Sequence, residues 1–554
     1  MAKKYLIVGG VAGGMSAATR LRRLQEEAEI IVFEKGPHVS FANCGLPYYL
    51  SGEIEERDQL IVQTSASLRQ RFNLDIRENS EVVAIDATNK TVRVRTKNQE
   101  YQESYDALIL SPGAKPLLPS LTGLSEATNA FSLRNIPDVD QIMTFLKEKQ
   151  PSSAVVIGAG FIGLEMAENL KKRGLSVTIV EKAAHVLPTL DQEMAIPLQN
   201  ELEKQQVKVL TQRSAIAIQA NQLVLDNQEV LSADLVILSV GVQPETDLAA
   251  SAGIELGLKG GILVDEHYET SLADIYAVGD AIVVKEQISG QPALISLASP
   301  ANRQVSQFAD ILYGLTVKNR VIIGTEIVRI LERTAASTGM SERNVQALGL
   351  PYKVVHLSGN DHATYYPGAT PILLKLIFEP KTGQIYGAQA VGEKGVDKRI
   401  DVLSTVIKAG MTIFDLPELE LSYAPPFGSA KDLVNMAGYA ASNIALGLSD
   451  NVQWHELGHE LASGKILLDV RQPEELQKGA FKNALNIPLN ELRERLGELD
   501  KKESYIVSCQ SGLRAYHAER ILKQHGFSVQ NLDGAYALYS TVTNELLEDK
   551  SGTL

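Results

Sequence analysis

Two cysteines are the residues of this 554-residue chain best suited to electron or sulfur transfer, and each stands in a setting that activates a thiol. Cys44 lies in "SFANCGLPYY", ten residues after Glu34, and "CGLPYYL" reads as the first turn of a helix with Pro47 inside it. A helix N-terminus favours thiolate, so a lowered thiol pKa is expected there. The position five after Cys44 is Tyr49, and no second cysteine is near. A single thiol then cycles either as a sulfenic acid or as a mixed disulfide or persulfide with a small thiol. Cys509 opens "CQSGLR", a loop between an apolar strand and a helix. Successive backbone N–H groups curling round its sulfur would make an anion nest that stabilises thiolate and persulfide, with Arg514 holding an anionic sulfur donor.

Glycine-rich turns supply the framework for Cys44. "KKYLIVGGVAGGMSAATRLRRL" is a strand, a turn and a helix, and "AEIIVFEK" is a second strand ending in Glu34 and Lys35. In GxGxxG terms Gly9 and Gly14 are present and Val11 takes the middle place, with Ala12 and Gly13 completing the loop. Such a loop lays a pyrophosphate on a helix N-terminus, and the acid at the end of the second strand binds a ribose. "SSAVVIGAGFIGLEMAENLKKRGLSVTIVEK" repeats the unit with Gly158, Gly160 and Gly163 in full and a strand ending in Glu181. Two units predict two dinucleotides. The Glu181 carboxylate suits a 2′-hydroxyl and repels a 2′-phosphate, which favours NADH, while Lys182 leaves NADPH possible.

The length calls for three or four domains. With 44% hydrophobic and 22% charged residues and 42 glycines, the composition is that of a soluble α/β protein. A net charge of −14 argues against nucleic-acid binding. No apolar stretch is long enough to span a bilayer, and the opening "MAKKYLIVGG" enters a strand directly, so a cytoplasmic protein with no membrane association is expected. Two distant cysteines provide neither a disulfide framework nor a thiolate-rich metal site, and no metal is expected.

"YDALILSPGAKP", with Ser111, Pro112 and Gly113, and "TSLADIYAVGDA", with Gly279 and Asp280, together with the two loops resemble the two-dinucleotide flavoprotein disulfide reductases. That resemblance implies FAD, with Asp280 on its ribityl chain, and a crossover at Pro112-Gly113 into an inserted NADH domain that returns after Val240-Gly241. "SFANCGLPY", "GGVAGG", "YYPG", "VGEKGVDKRIDVL" and "SYAPPFGSAKD" resemble the coenzyme A disulfide reductase group over roughly the first 445 residues. The group implies that Cys44 carries an enzyme–S–S–CoA intermediate, and that Tyr365 and Tyr423 of the second subunit of a homodimer protonate the leaving CoA thiolate. It also implies Ser16, Ser40, Asn43 and Gln63 near the pantetheine, and Asn302 and Lys431 from later segments. Coenzyme A is a polyanion and needs a basic patch, for which "TRLRRL" offers Arg20, Arg22 and Arg23, and "RQRFNL" offers Arg71. The alternative is an NADH peroxidase or oxidase working through a sulfenic acid. Those enzymes carry a histidine in the first glycine loop, where this chain has Ala12.

"LDVR", "NIP", "CQSGLR" and "NLDGAY" resemble the rhodanese domain, whose loop of this length points to sulfur rather than phosphate. The expected division is a FAD domain at 1–115 and 244–322, an NADH domain at 116–243, an α+β dimerisation domain at 323–445, a linker at 446–456 and a rhodanese domain at 457–554. The activity this implies is NADH-driven reduction of CoA disulfide, CoA persulfide or polysulfide at Cys44, coupled to sulfur loading or unloading at Cys509.

Overall fold

The computed structural model describes residues 3–317 and 320–548; Met1 and Ala2, residues 318–319, and the last six residues of the expected rhodanese domain lie outside the described residues. The chain divides into two compact units. One comprises the residues up to Ala184 together with Gln206–Gly324. The other comprises His185–Gln205 and the residues from Thr325 onward.

The first unit contains two five-stranded parallel sheets of the same plan. In one, Ile275–Ala277, Ala107–Leu110, Lys4–Val8, Glu29–Phe33 and Asp75–Arg77 lie side by side in that order. In the other the order is Lys208–Leu210, Ser176–Val180, Ser153–Ile157, Leu235–Leu238 and Ala130–Phe131. In each sheet the C-terminal end of the central strand opens into a glycine loop beside the strand-order reversal, where such sheets bind ligands. "ALIL" (107–110) and "LVIL" (235–238) are buried at every residue, as strands covered on both faces must be. Passage between the sheets runs through Ala114–Pro116 and Val242–Pro244, which pair antiparallel.

The second unit contains a five-stranded antiparallel sheet, ordered Thr325–Ile330, Arg333–Gly339, Ile385–Gly392, Pro371–Phe378 and Lys353–Asn360. It also contains a parallel sheet ordered Asn451–Val452, Ser528–Leu532, Ser504–Ser508, Ile466–Asp469 and Leu485–Asn486. Helix Leu433–Ala445 starts at a capping box, in which the Asp432 carboxylate accepts the Val434 amide and Asn435 answers the Asp432 amide.

Two features differ from the expected division. Asn451 and Val452, placed in a linker, pair with Asn531 and Leu532 and form the edge of the C-terminal sheet. A two-residue strand held by tertiary pairing carries too little pattern to be read from sequence. His185–Gln205, placed within the NADH domain, belongs to the second unit, because Asp191 and Glu193 are ion-paired to Lys375 there.

Candidate functional site

The glycine loops are built alike. Gly9 and Gly158 both hold a positive φ, about the same in each. A Cβ on Gly14 would lie 1.8 Å from the Gly9 carbonyl oxygen, and one on Gly163 would lie 2.0 Å from that of Gly158. Only glycine allows each helix to start so close to its strand. A Cβ on Gly160 would meet nothing within 4 Å, which leaves its backbone open to a ligand. Val11 takes the equivalent place in the first loop as the residue before helix Ala12–Leu24. The acids close each loop in the same way. Glu34 accepts the amides of Gly10 and Gly36, and Glu181 accepts those of Ala159 and Ala183. A carboxylate has about four lone-pair sites, so each keeps acceptor capacity for a ribose hydroxyl. Both loops therefore fit a dinucleotide.

Further residues expected at the first nucleotide gather at the ends of its strands. Ser111 donates its amide to Val8, and its Oγ packs against Gly13 and Gly279. Gly279 donates to the buried Gln304. Burial raises the Asp280 carboxyl above its ordinary value, with Arg134 pulling the other way. Arg134 donates to the carbonyl of Pro112 at 3.0 Å and pairs with Glu245 at 2.6 Å, and Gly113 lies beside the same guanidinium. Lys35 also pairs with Glu245. In the second sheet, the Gly241 carbonyl accepts the amide of Leu117.

Cys44 sits in a single 3₁₀ turn, Asn43–Gly45, directly before the six-residue helix Leu46–Ser51 that contains Pro47. It is exposed. The expected lowering of its thiol pKa is not found. Desolvation by the groups around it pushes the thiol up, and the charges of Glu165 and Asp280 push it further, against a smaller effect of a backbone hydrogen bond. Glu165 stands on helix Phe161–Lys172 of the second glycine loop, and Asp280 belongs to the first nucleotide unit. One sulfur thus feels a carboxylate from each. Tyr48 donates to Glu165 at 3.0 Å.

Around this turn, Asn43 donates to the Arg134 carbonyl at 3.1 Å, and Gln63 accepts from Ser67. Ser40 adopts a positive φ and donates its amide to Gly10. Ser16 and Asn302, expected separately at the substrate, hydrogen-bond to each other at 2.8 Å. The basic patch is smaller than expected. Arg22 is buried and donates to the carbonyls of Phe72, Asn73 and Glu26, so it holds the fold together instead of facing a ligand. Arg20 is paired with Asp310. Arg23 and Arg71 are exposed.

In the second unit, Tyr365 and Tyr423 meet, hydroxyl to hydroxyl, at 2.7 Å, with Tyr365 73% exposed. The bond to Tyr423 raises the Tyr365 pKa. Lys431 lies with its ammonium 5.5 Å from the Tyr439 ring centroid. Cys509 is 1% exposed, and the amide of Gly512 points at its Sγ at 3.1 Å, just before helix Leu513–Gln524. Arg514 is held by Glu475 through two bonds of 2.6 and 2.7 Å, and that contact lowers the Glu475 pKa to about 2. The cation expected for a sulfur donor is therefore already paired. Beside the loop, Arg471 is 1% exposed, bonded to Asp469 and the Gly479 carbonyl, and 4.0 Å from the Tyr536 ring centroid.

The sequence reading missed Glu165, Tyr48, Arg134, Glu245 and Glu475. Glu165 had one local signal, its place two residues after Gly163 on the loop helix. The others are joined to their partners only by tertiary folding.

Comparison with known proteins agrees with this architecture. Residues 453–541 match the rhodanese-like domain. The coenzyme A disulfide reductase of Staphylococcus aureus strain bovine RF122 / ET3-1 is 38% identical over 441 residues, which is 79% of this chain and 99% of that protein. The crystal structure of reduced Bacillus anthracis CoADR-RHD is similar at 49% identity and a TM-score of 0.98, over 99% of this chain and 100% of that one. The structure of a NAD-dependent persulfide reductase from A. fulgidus is similar at 37% identity and a TM-score of 0.91, over 97% and 100% of the two chains. Paired nucleotide loops around a lone cysteine accord with the family matches over residues 3–304 and, for its dimerisation domain, 327–433: the chain belongs to the pyridine nucleotide-disulphide oxidoreductases.

Proposed function

We propose that this oxidoreductase is a cytoplasmic, homodimeric NADH-dependent flavoprotein that reduces CoA disulfide, CoA persulfide or polysulfide through the single thiol of Cys44, with sulfane sulfur handled at Cys509. The observation that carries the reading is the position of Cys44, where Glu165 and Asp280 from the two nucleotide units act on one thiol with no second cysteine near it. The 38% identity to a coenzyme A disulfide reductase and the likeness to a persulfide reductase along nearly the whole chain support the substrate class.

FAD suits the Gly9–Gly14 loop with Glu34, Lys35, Ser111, Pro112, Gly113, Gly279 and Asp280, and NADH suits the Gly158–Gly163 loop with Glu181 and Gly241. When bound, the two cofactors supply the electron pair that leaves nicotinamide and reaches sulfur. The Cys44 thiolate attacks one sulfur of CoA disulfide, forms Cys44–S–S–CoA and expels CoA thiolate. Two electrons then cleave that bond, regenerating Cys44 and releasing the second CoA. NADH, one proton and CoA disulfide give NAD⁺ and two CoA thiols. With CoA persulfide the products are NAD⁺, CoA and hydrogen sulfide.

The Tyr365–Tyr423 pair is exposed and can donate a phenolic proton to a departing CoA thiolate, serving the other subunit's Cys44 in a dimer. Arg23 and Arg71 offer exposed charge for the coenzyme A phosphates, and Ser16, Ser40, Asn43, Gln63, Asn302 and Lys431 offer polar contacts, while Arg20 serves only in concert with Asp310.

Anaerobic single-turnover kinetics test the division of labour. The NADH-reduced enzyme is offered each acceptor in turn, for wild type, Cys44→Ser and Cys509→Ser. Loss of sulfide release from free CoA persulfide only in Cys44→Ser is expected. Equal loss in both variants, or fast NADH turnover with peroxide alone, contradicts the reading.

A further inference from the structure

His356 is a buried histidine on the edge strand of the antiparallel sheet, linked by contacts to the Cys509 loop. It lies on strand Lys353–Asn360 with its side chain fully buried. Its Nδ1 is 2.7 Å from Asp533, its Nε2 is 3.1 Å from Glu193, and its main-chain amide donates to both Asp533 oxygens at 3.1 Å. A neutral imidazole donates from one nitrogen only, so two carboxylate partners call for imidazolium. Lys375 is its register partner on the next strand, and its ammonium meets Glu193 at 2.5 Å, Glu342 at 2.6 Å and Asp191 at 2.9 Å. Tyr352 donates to Glu342. Four carboxylates thus surround two cations. Burial alone would lower the imidazolium, but Asp533 and Glu193 outweigh it, and the His356 pKa is pushed up to about 9.

Asp533 follows strand Ser528–Leu532 and forms, with Gly534, the turn into helix Ala535–Val542, whose first amides bond the Cys509 loop. The Tyr536 amide donates to the Cys509 carbonyl at 3.1 Å, and the Ala537 amide to that of Gln510 at 2.9 Å. The Tyr536 ring also packs on Arg471.

We propose that His356 is a positioning residue for Cys509: by anchoring Asp533, this residue of the dimerisation domain sets the start of helix Ala535–Val542, whose first amides fix the Cys509 loop. The inference rests on the reading of Cys509 as a sulfur carrier only for its consequence, namely that sulfur transfer depends on contacts from outside the rhodanese domain.

The test uses the full-length holoenzyme carrying Cys44→Ser, in which Cys509 is the only thiol left. Freeing the turn exposes a buried sulfur, so His356→Gln speeds Cys509 alkylation by iodoacetamide roughly tenfold or more. The double variant His356→Gln/Asp533→Asn replaces an ion pair by an amide pair and returns the rate towards that of the parent, a rescue that lost packing would not give. In the parent, alkylation relative to a free cysteine peptide rises through a step near pH 9, and the double variant lacks that step. Equal alkylation in all three proteins, with no step near pH 9, overturns the proposal. If His356→Gln does not fold, the pH series on the parent and the double variant decides. Alkylation requires no sulfur transfer, so failure of the parent Cys509 to take sulfur from CoA persulfide would count against the function proposed above and not against the clamp.

Discussion

Glu165 and Asp280 act on the Cys44 sulfur from two nucleotide units, and both make its ionisation harder. Glu165→Gln removes one of those charges and keeps an acceptor for Tyr48. Alkylation of Cys44 near neutral pH is expected to speed roughly threefold, with the thiol titrating lower; an unchanged titration would deny Glu165 this influence. A second pair of substitutions separates fold from ligand. Gly163→Ala forces a Cβ within 2.0 Å of the Gly158 carbonyl oxygen, so both the melting temperature and NADH affinity fall. Gly160→Ala meets no protein atom, so thermal stability holds while KM for NADH rises. If both variants bind NADH normally, the second loop is not its site. The glycines and cysteines were legible because their meaning lies in spacing along a few residues. The thiol's electrostatics were not, since Glu165 and Asp280 reach Cys44 only through the fold.

At the scale of elements, apolar strands and their loops were legible for a physical reason. "YLI", "AVVI" and "LVIL" are continuous buried runs, and each parallel strand must be apolar on both faces. Short pieces such as Asn451–Val452 and Ala130–Phe131 exist only as partners of longer strands. The turn after strand Ile466–Asp469 shows how a motif read as a rhodanese signature has a structural duty. In "DVR", Asp469 is the carboxylate that compensates the buried Arg471, which in turn spans Gly479 and the Tyr536 ring. Asp469→Ala leaves that guanidinium unpaired and is expected to lower stability by roughly 3–5 kcal/mol. Calorimetry should show an earlier unfolding transition for the rhodanese domain; an unshifted transition would mean that Arg471 finds another partner.

For the whole molecule, charges that join distant stretches of sequence set its pH range. The folded pKa of His356 lies above its unfolded value of 6.5, so its stabilisation is fully present below that value and is lost as pH rises through about 9. Melting temperature should fall between pH 7 and 10 in the wild type, and less steeply in His356→Gln; parallel curves would contradict this linkage. None of this cluster was legible, because Glu193, His356, Lys375 and Asp533 come from four separate segments and each resembles an ordinary surface residue in sequence. What sequence did convey was the order of domains and the two thiols, of which Cys44 carries the proposed reaction. The most direct measurement is mass analysis of the enzyme after exposure to CoA disulfide without NADH. One coenzyme A per chain, disulfide-bonded to Cys44, absent in Cys44→Ser and released as free thiol on adding NADH, is the predicted result. No adduct at Cys44, or a sulfenic acid there that NADH reduces without any release of CoA, would contradict the account.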